Sequence, residues 1–306
     1  MEQTLYPWGH NRPFNAYSNH FKKIFGTRLQ KLSVDAGFTC PNRDGSISTG
    51  GCTFCNNQTF FSEYCQPTKS VVQQMEEGIY FFRLYEGQIY LAYFQAYTNT
   101  YAPLDELRRL YEPVLNMDKV VGLVVGTRPD CVDERMLDYF AELSDKHYVM
   151  LEYGVESTLD RTLERINRGH TYAESEWAIK ETAKRGIHTG AHIILGLPGE
   201  SDEDCLSHAD RLNELPLDML KLHQLQIVKG TTLARQWLED PSIVKLYTMD
   251  EYIDLCVRFL QRLKPEIGIE RFISQSPKDM LLAPDWGVKN YEFVDKLRAR
   301  LRAMKK

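Results

Sequence analysis

Short apolar runs alternate with segments of helical periodicity along most of the chain. The runs have the length and the Val, Ile, Leu and Tyr content that is typical of buried strands. Six such runs stand at residues 29–35, 88–94, 119–126, 148–155, 187–196 and 219–228. Helical segments separate them, and a repeated alternation of strand and helix indicates a parallel sheet with helical crossovers. We therefore predict an α/β fold, a partial (β/α)6 TIM-like barrel.

The ends of the chain differ from this repeat. From about residue 250 the pattern becomes helical and ends in a basic helix, without a low-complexity linker. We expect an N-terminal segment at 1–28, the barrel at 29–240 and a helical C-terminal extension at 241–306. No G-x-G-x-x-G or G-x-x-x-x-G-K-[ST] motif follows the first strand, which disfavours a dinucleotide-binding fold or a P-loop.

Composition and charge narrow the class of protein. The chain has 306 residues, 43% of them apolar and 26% charged, as in ordinary globular proteins. The first twenty residues lack the apolar core of a signal peptide, and no stretch is apolar for long enough to cross a bilayer. We expect a cytoplasmic protein with no membrane partner. A net charge of −5 argues against a strongly basic nucleic-acid module but allows a local basic patch.

A glycine-rich loop after the first predicted strand carries three cysteines, Cys40, Cys52 and Cys55, and nine residues separate Cys55 from Cys65. In a reducing compartment, clustered cysteines are metal ligands more often than disulfides. Three thiolates can hold a [4Fe–4S] cluster with one iron open, whereas four thiolates form a closed [4Fe–4S] cluster or a zinc site. The chain has one C-x2-C pair, and zinc sites usually use two, so the cluster is favoured. The single cysteines at 131, 205 and 256 are expected to be free and buried.

The order of motifs along the chain resembles that of radical S-adenosylmethionine (SAM) enzymes. The cysteine triad follows the first strand and "ILGLPGES" follows the fifth. The usual spacing in that family is C-x3-C-x2-C, and this chain has C-x11-C-x2-C. The wider gap, with "AGFTCPNRDG", "GGCTFCNN", "YFQAYTNTYAP", "GTRPDC" and "LLAPDW", resembles a bacterial branch related to the Elongator catalytic subunit.

The resemblance implies two cofactors, a [4Fe–4S] cluster on Cys40, Cys52 and Cys55 and a SAM molecule bound to the open iron. It implies reductive cleavage of SAM to methionine and a 5′-deoxyadenosyl radical, which abstracts hydrogen from a substrate. An electron donor such as flavodoxin or ferredoxin is the implied partner. Aromatic side chains beside the loop are candidates for a wall that excludes water, or for ordinary core. They are Phe38, Phe54, Phe60 and Phe61.

The resemblance also suggests SAM contacts at the ends of the later strands. Gln95, Tyr97 and Asn99, expected on one strand face, replace the usual Gly-Gly-Glu-like motif, or form a polar strand end. Arg128 either binds a carboxylate or pairs with Asp130 to fix its loop.

The fourth and fifth strands supply the remaining candidates. Glu152 either accepts the ribose hydroxyl groups or pairs with Arg128 or Arg168. Ile194 could pack on adenine, and Gly196 would let the backbone approach it. His192 shares a face with Ile194 and is either turned into the barrel or a satisfied core histidine. Ser201 and Asp204 read as a helix cap, and Glu200 as structural.

The sequence leaves the substrate open between a tRNA base, which the Elongator-like resemblance suggests, and a small metabolite. A phosphate-binding surface could combine the basic C-terminal helix with basic residues near the first strand, although the helix charges also fit a solvated face. These residues are Lys22, Lys23, Arg28, Lys31, Lys289, Lys296, Arg298, Arg300, Arg302, Lys305 and Lys306. A non-catalytic zinc protein with four cysteine ligands is the alternative class.

Overall fold

The computed structural model describes residues 5–56, 64–84, 86–95 and 97–304. Seven parallel strands form one curved sheet in the order β1–β2–β3–β4–β5–β6–β8. They are β1 (Leu29–Val34), β2 (Ile89–Phe94), β3 (Val120–Thr127), β4 (Tyr148–Glu156), β5 (His188–Leu195), β6 (Met219–Gln224) and β8 (Gly268–Arg271). A short antiparallel pair, β7 (Ile227–Val228) and β9 (Leu281–Ala283), stands beside it. The predicted partial barrel is confirmed.

Helices cover the outer face of this sheet, and most of them connect one strand to the next. They are α1 (Ser18–Phe25), α2 (Val71–Phe82), α3 (Leu104–Leu115), α4 (Glu134–Ser144), α5 (Asp160–Arg165), α6 (Tyr172–Lys184), α7 (Asp202–Leu212), α8 (Thr232–Glu239), α9 (Met249–Arg262) and α10 (Asn290–Ala303). Among the residues described, no helix is both long and apolar enough to cross a bilayer.

Local sequence explains where several helices begin. Ser201 accepts a hydrogen bond from the backbone of Asp204, whose side chain bonds back to Ser201, so the predicted cap of α7 is confirmed. Thr171 and Glu174 form the same capping box at α6. The strands are nearly continuous runs of buried residues, because a parallel sheet with helices on one face and a filled barrel on the other has both faces covered.

The seventh strand, β8, comes from the segment that the sequence analysis assigned to a helical extension. Gly268, Ile269 and Arg271 pair with β6. The strand brings the carboxylate of Glu270 to Lys31 and Lys221, and it places Arg271, an exposed residue, in the cavity lining. The two helices predicted in this segment are present as α9 and α10. The C-terminal region is therefore part of the barrel wall as well as a helical cover.

The two ends of the barrel are built differently. At the amino-terminal ends of the strands, aromatic and polar side chains close the barrel, with the hydroxyl groups of Tyr17 and Tyr148 2.6 Å apart. At the carboxyl-terminal ends, the loops leave an open cavity among polar residues. Since barrel enzymes place their active sites at the carboxyl-terminal ends, this cavity is the candidate site.

Candidate active site

The cavity at the carboxyl-terminal ends of the strands is bordered by the cysteine loop on one side and by β6 and β8 on the other. The main-chain pairing aligns Gly154, His192, Lys221 and Arg271 in one row across β4, β5, β6 and β8. All four residues line the cavity. One level of the barrel therefore presents side chains from four strands to the same space.

Cys40, Cys52 and Cys55 all line this cavity. Cys65 does not line it, and is buried beside Asp35 instead. Burial, followed by the charge of Asp35, raises the pKa of the Cys65 thiol to about 12. The structure thus separates Cys65 from the other three cysteines. This separation agrees with a cluster held by three thiolates, whereas a four-thiolate zinc site would need Cys65 beside them.

Hydrogen bonds from a distant turn fix the shape of the cysteine loop. The Asn42 side chain donates to the carbonyl oxygen of Asn167 over 2.5 Å, and the Asn167 side chain donates to Gly51 over 2.8 Å. The backbone of Thr53 donates to Ile166 over 2.9 Å. These bonds join the loop to the end of α5. The eleven residues between Cys40 and Cys52 are therefore an ordered part of the loop, which hydrogen bonds at Asn42 and Gly51 attach to Asn167.

The cysteine sulfurs lie among nitrogen donors. Arg168 Nη1 and Asn42 Nδ2 each lie 3.6 Å from the sulfur of Cys52. Arg43 donates to the carbonyl oxygen of Cys55 over 2.8 Å. Burial, followed by the proximity of Cys52, raises the pKa of the Cys55 thiol to about 11. A thiol in that state is a poor nucleophile on its own, and metal binding is what would deprotonate it.

The donor set agrees with an iron–sulfur cluster better than with a single metal ion. In the described part of the chain, no group of three His, Cys, Asp or Glu side chains converges on one metal-ion position. A structural zinc ion needs four ligands at about 2–2.3 Å from one point. A cubane instead takes thiolates spaced around its corners and is stabilised by hydrogen bonds to sulfur. The three thiols line one cavity, and Asn42 and Arg168 place nitrogen donors 3.6 Å from the sulfur of Cys52.

Two buried guanidinium atoms in the cavity wall are ready to bind a ligand. Arg128 Nη1 and Arg168 Nε are buried, and neither has a hydrogen-bond partner among the described residues. Buried donors are normally satisfied, so these two atoms indicate a bound group. An anionic cluster and a carboxylate are both groups that such donors would hold.

The three residues expected on one face of the second strand are separated. The strand ends at Phe94, so Gln95, Tyr97 and Asn99 lie in the following loop, where Tyr97 has a φ of 57°. Gln95 and Tyr97 line the cavity, and Gln95 donates to the hydroxyl of Ser33 over 2.6 Å. Asn99 is buried outside the lining and donates to the carbonyl oxygen of Gly126 over 2.8 Å. The prediction that these three residues share one strand face was wrong, because the strand ends at Phe94 and the chain turns after it.

Arg128 lies in the cavity wall and also makes the loop pair that the sequence left open. Its Nε and Nη2 atoms donate to the two carboxylate oxygens of Asp130 over 2.9 and 2.7 Å. This two-pronged ion pair with Asp130 holds the loop after β3. Among the described residues it leaves Nη1 as the guanidinium nitrogen without a hydrogen-bond partner. The two roles proposed for Arg128 are therefore compatible.

Glu152 lies in the cavity wall with different partners from those expected. Its carboxylate contacts Lys31 at 2.9 Å, Lys221 at 2.5 Å and His192 at 3.0 Å. Arg128 pairs with Asp130, and Arg168 pairs with Glu156 at 3.8 Å. Burial raises the pKa of the Glu152 carboxyl, but Lys221 and Lys31 outweigh it and hold that pKa well below its usual range.

Ile194 lines the cavity, whereas Gly196 does not. Gly196 has a φ of +91°, and a Cβ there would lie 2.9 Å from the ring of Tyr247. Glycine at this position thus permits the left-handed backbone turn and the close packing of Tyr247. Its role is in the loop structure, since it does not line the cavity. Phe54 lines the cavity, while Phe38 belongs to the core, and Phe60 and Phe61 lie outside the described residues.

His192 is both turned into the barrel and satisfied, because it lines the cavity and bonds to Glu152. Glu200 is structural, as expected: its carboxylate accepts from Ser157 over 2.7 Å and lies 3.4 Å from His208. Among the scattered cysteines, Cys205 and Cys256 are buried as predicted, and Cys131 is half-buried.

The sequence analysis missed the charged floor of the cavity. Lys31 pairs with Glu270 at 2.6 Å, and Lys221 pairs with Glu270 at 3.5 Å and with the Tyr93 hydroxyl at 2.9 Å. One signal was present: a lysine inside a doubly covered strand, as in "MLKLHQ", needs a buried partner. Placing Lys31 on a phosphate-binding surface was wrong, because its side chain lies inside the barrel beside Glu152 and Glu270.

The remaining basic residues do not form one surface at the cavity. Lys22 and Lys23 lie in the last turn of α1, and Arg28 directly precedes β1. They therefore stand at the amino-terminal end of the barrel, away from the cavity. On α10, Arg298 pairs with Asp295 at 3.1 Å, and Arg300 pairs with Asp254. These ion pairs agree with a solvated, partly neutralised face. Lys305 and Lys306 lie outside the described residues.

Comparison with known proteins agrees with the site. The radical SAM superfamily matches residues 43–212, which is more than half of the chain, and the radical SAM C-terminal domain matches residues 217–303. The chain belongs to the radical SAM superfamily. It is therefore a radical SAM enzyme, and this replaces the alternative of a non-catalytic zinc protein. Cys40 stands just before the matched range, at the start of the widened gap.

Particular relatives cover nearly the whole chain. Protein YhcC of Escherichia coli K12 is 37% identical over 273 residues, covering 89% of this chain and 87% of YhcC. Protein YtqA of Bacillus subtilis is 31% identical over 303 residues, covering 98% of this chain and 94% of YtqA.

Among solved structures, Elp3 from the archaeon Methanocaldococcus infernus superposes with a TM-score of 0.66 at 15% identity. That match covers 90% of this chain but 63% of the Elp3 chain, so the likeness shows a shared fold. Coproporphyrinogen III oxidase of Escherichia coli, described as a radical SAM enzyme, has a TM-score of 0.52 at 16% identity, with 82% of this chain and 53% of the other covered.

Proposed function

We propose that the cavity holds a [4Fe–4S] cluster on Cys40, Cys52 and Cys55 together with SAM, and that the enzyme cleaves SAM reductively. The observation that carries this proposal is that the three thiols of the loop line one cavity from which Cys65 is separate. When bound, the cofactors supply a 5′-deoxyadenosyl radical that removes a hydrogen atom from the substrate. A flavodoxin or ferredoxin supplies the electron.

The side chains of the cavity divide into two groups with different tasks. Arg168 and Asn42 donate toward Cys52, and we assign them to the cluster. Phe54 and Ile194 form an apolar part of the wall, which suits an adenine ring and excludes water.

Polar residues of the same wall suit the rest of SAM. Gln95 and Tyr97, at the end of β2, and the free Nη1 of Arg128 are assigned to its amino and carboxylate groups. Glu152 already binds three nitrogen groups, so we assign it to positioning Lys221 and His192. Asn99 and Gly196 support the loops that carry this wall.

We propose further that the substrate is a tRNA base. A tRNA uridine(34) acetyltransferase of Methanocaldococcus jannaschii is 24% identical over 166 residues, and Elp3 shares the fold. The acetyltransferase match covers 29% of that protein, so transfer of an acetyl group is not carried over to this chain. Radical chemistry on the base, begun by removal of a hydrogen atom, is the activity that the barrel supports.

The proposed activity is tested by incubating the reconstituted, dithionite-reduced protein with SAM under anaerobic conditions. We expect methionine and 5′-deoxyadenosine in equal amounts, because the cleavage produces one of each. Liquid chromatography with mass spectrometry measures both products. A protein that carries iron and binds SAM, yet forms neither product above the level of a Cys40→Ala control, would contradict the proposal.

The substrate is tested separately by comparing modified nucleosides from a deletion strain and its parent. A nucleoside that is lost in the deletion strain, and restored by the wild-type gene and not by Cys55→Ala, supports tRNA. An unchanged nucleoside profile would contradict the tRNA proposal and favour a small metabolite.

A further inference from the structure

The cavity wall formed by β6 and β8 carries cationic and imidazole groups from the C-terminal third of the chain. Lys221 and His223 project from β6, and Arg271 projects from β8. All three lie within the range matched by the radical SAM C-terminal domain. The cysteines, by contrast, come from the loop after β1. The two sides of the cavity thus belong to different regions of the sequence.

Two lysines and two glutamates at the cavity form ion pairs with one another, and Arg271 beside them stays unpaired in the described part of the chain. Lys31 and Lys221 contact Glu152 and Glu270 at 2.5–3.5 Å, which balances two positive charges against two negative ones. Arg271 lines the same cavity with an exposed side chain and has no ion-pair partner among the described residues. A guanidinium that borders a cavity without a carboxylate partner is available to an anion.

His223 adds an uncommitted hydrogen-bonding atom beside this guanidinium. Its Nδ1 atom lies 2.9 Å from the hydroxyl of Ser274, and its Nε2 atom is buried without a partner in the described part of the chain. Burial, followed by the charges of His192 and Arg271, keeps the pKa of His223 well below its ordinary value, so the ring is neutral. The Ser274 hydroxyl can accept from or donate to Nδ1; in the tautomer in which it donates, the ring proton is on Nε2, which is then a donor.

We propose that Arg271 and His223 form an anion-binding subsite that holds a carboxylate or phosphate group of the substrate. A planar guanidinium matches the two oxygens of such a group, and the imidazole N–H adds a third hydrogen bond. Lys221 contributes positive potential while remaining bonded to Glu152. The placement beside the radical chemistry rests on the function proposed above, whereas binding of an anion does not.

The subsite is tested by the reactivity of arginines toward phenylglyoxal in the anaerobically purified holoenzyme. Mass spectrometry of peptides follows the adduct at Arg271 and, as an internal control, at Arg235, an exposed arginine of α8. Inorganic phosphate and acetate are the two probes, with chloride at equal ionic strength as the baseline. At an anion concentration about four times its Kd, modification of Arg271 should slow about fivefold, while that of Arg235 is unchanged.

Variants of His223 make the same test specific. His223→Phe removes the donor and should weaken protection about tenfold, the size expected for one charge-assisted hydrogen bond. His223→Gln retains an N–H donor and should restore part of the protection, which separates the lost donor from misfolding. His147→Phe, on a remote half-buried histidine, is the matched control and should protect like the wild type.

The protection of Arg271 by each anion supports or overturns the proposed subsite. Stronger protection by phosphate assigns a phosphate group to the subsite, and stronger protection by acetate assigns a carboxylate. Equal rates at Arg271 with and without either anion, or equal protection at Arg235, would overturn it. Since the assay needs neither SAM cleavage nor RNA, absent protection in an enzyme that cleaves SAM rejects the subsite alone.

Discussion

Glu152 gathers two ammonium groups and an imidazole around one buried carboxylate, and it thereby joins β1, β4, β5 and β6. A buried charge is tolerated when partners of opposite charge surround it, and the removal of one member leaves the others unpaired. The residue is therefore expected to matter for stability as well as for the shape of the cavity.

Glu152→Gln should lower the free energy of unfolding by about 3 kcal/mol, because Lys221 and Lys31 then lose a fully buried partner and keep Glu270 alone. Urea denaturation followed by circular dichroism measures the loss. Glu266→Gln, at an exposed glutamate, is the control and should change stability by less than about 0.5 kcal/mol.

The pH dependence of this difference follows from the depressed pKa of Glu152. A carboxyl whose folded-state pKa is lowered adds stability above its unfolded pKa, about 4.5, and loses it as the pH falls through the folded value. The gap between wild type and Glu152→Gln should therefore not narrow between pH 7 and pH 6, and should narrow only below about pH 4.5. A gap that narrows between pH 7 and pH 6 would refute this assignment.

Single residues show what sequence reasoning reaches and where it stops. The sequence predicts that Glu152 needs a partner, since a charge on a doubly covered strand is costly. It named Arg128 or Arg168, whereas the structure supplies Lys31 and Lys221. The choice depends on which side chains of distant strands meet inside a curved sheet, and no local pattern contains that information.

At the scale of elements, the carboxyl-terminal end of β4 contacts the side chain of Arg168. Arg168 Nη2 donates to the carbonyl oxygen of Gly154 over 2.5 Å, while its Nη1 lies near Cys52. A Cβ at Gly154 would lie 2.7 Å from that guanidinium and 2.6 Å from the carboxylate of Glu156. Glycine at the end of this strand thus lets the arginine reach the sulfur.

Gly154→Ala should displace Arg168 and weaken retention of the cluster, because a hydrogen bond to the Cys52 sulfur is lost. Release of iron to a chelator, followed by absorbance, should be several times faster than in the wild type. Gly50→Ala is the matched control, since a Cβ there meets no atom within 4 Å. If Gly154→Ala releases iron at the wild-type rate, Arg168 has no part in holding the cluster.

The alternation of apolar runs located six strands of the sheet correctly. It missed the seventh strand, β8, for a physical reason. Strand β8 has four residues, and two of them, Glu270 and Arg271, are charged. Glu270 pairs with Lys221 inside the barrel, and Arg271 is an exposed residue of the cavity lining. Such a strand has no apolar run to mark it. Its pairing with β6 becomes visible only when the sheet has been assembled.

At the scale of the whole molecule, the position of the cavity decides which basic residues could guide the proposed tRNA substrate to it. Lys229 and Lys278 are exposed in segments that follow β6 and precede β9. The Asn56 side chain, one residue after Cys55, donates to the carbonyl oxygen of Lys229 over 2.9 Å. Lys229 is therefore tied to the cysteine loop, and its Nζ donates to the carbonyl oxygen of Asp279, the residue after Lys278. Lys22 and Lys23 stand at the opposite end of the barrel.

Lys229→Glu together with Lys278→Glu should weaken tRNA binding about tenfold and flatten its dependence on salt, because phosphate contacts are lost. Filter binding at several salt concentrations measures both effects. Lys22→Glu with Lys23→Glu is the matched double control and should bind like the wild type. The reverse result would place RNA at the amino-terminal end of the barrel and remove the link to the cavity.

The candidate site was predictable where its residues are neighbours in sequence. Cys40, Cys52 and Cys55 share one loop, and their grouping in the cavity follows from that loop. Contacts contributed by separate strands were predicted less well, as Asn99 and Gly196 show, because turns and packing direct them away from the lining. The roles of Gln95, Tyr97, Arg128 and Ile194 in binding SAM stay predictions.

The most direct test of the account is the iron and sulfide content of anaerobically reconstituted cysteine variants. The wild type should be brown and contain about four irons and four sulfides per chain. Cys40→Ala, Cys52→Ala and Cys55→Ala should each lose that content, whereas Cys65→Ala should retain it, since Cys65 lies outside the cavity. A colourless protein with one zinc per chain, lost on Cys65→Ala, would contradict the account.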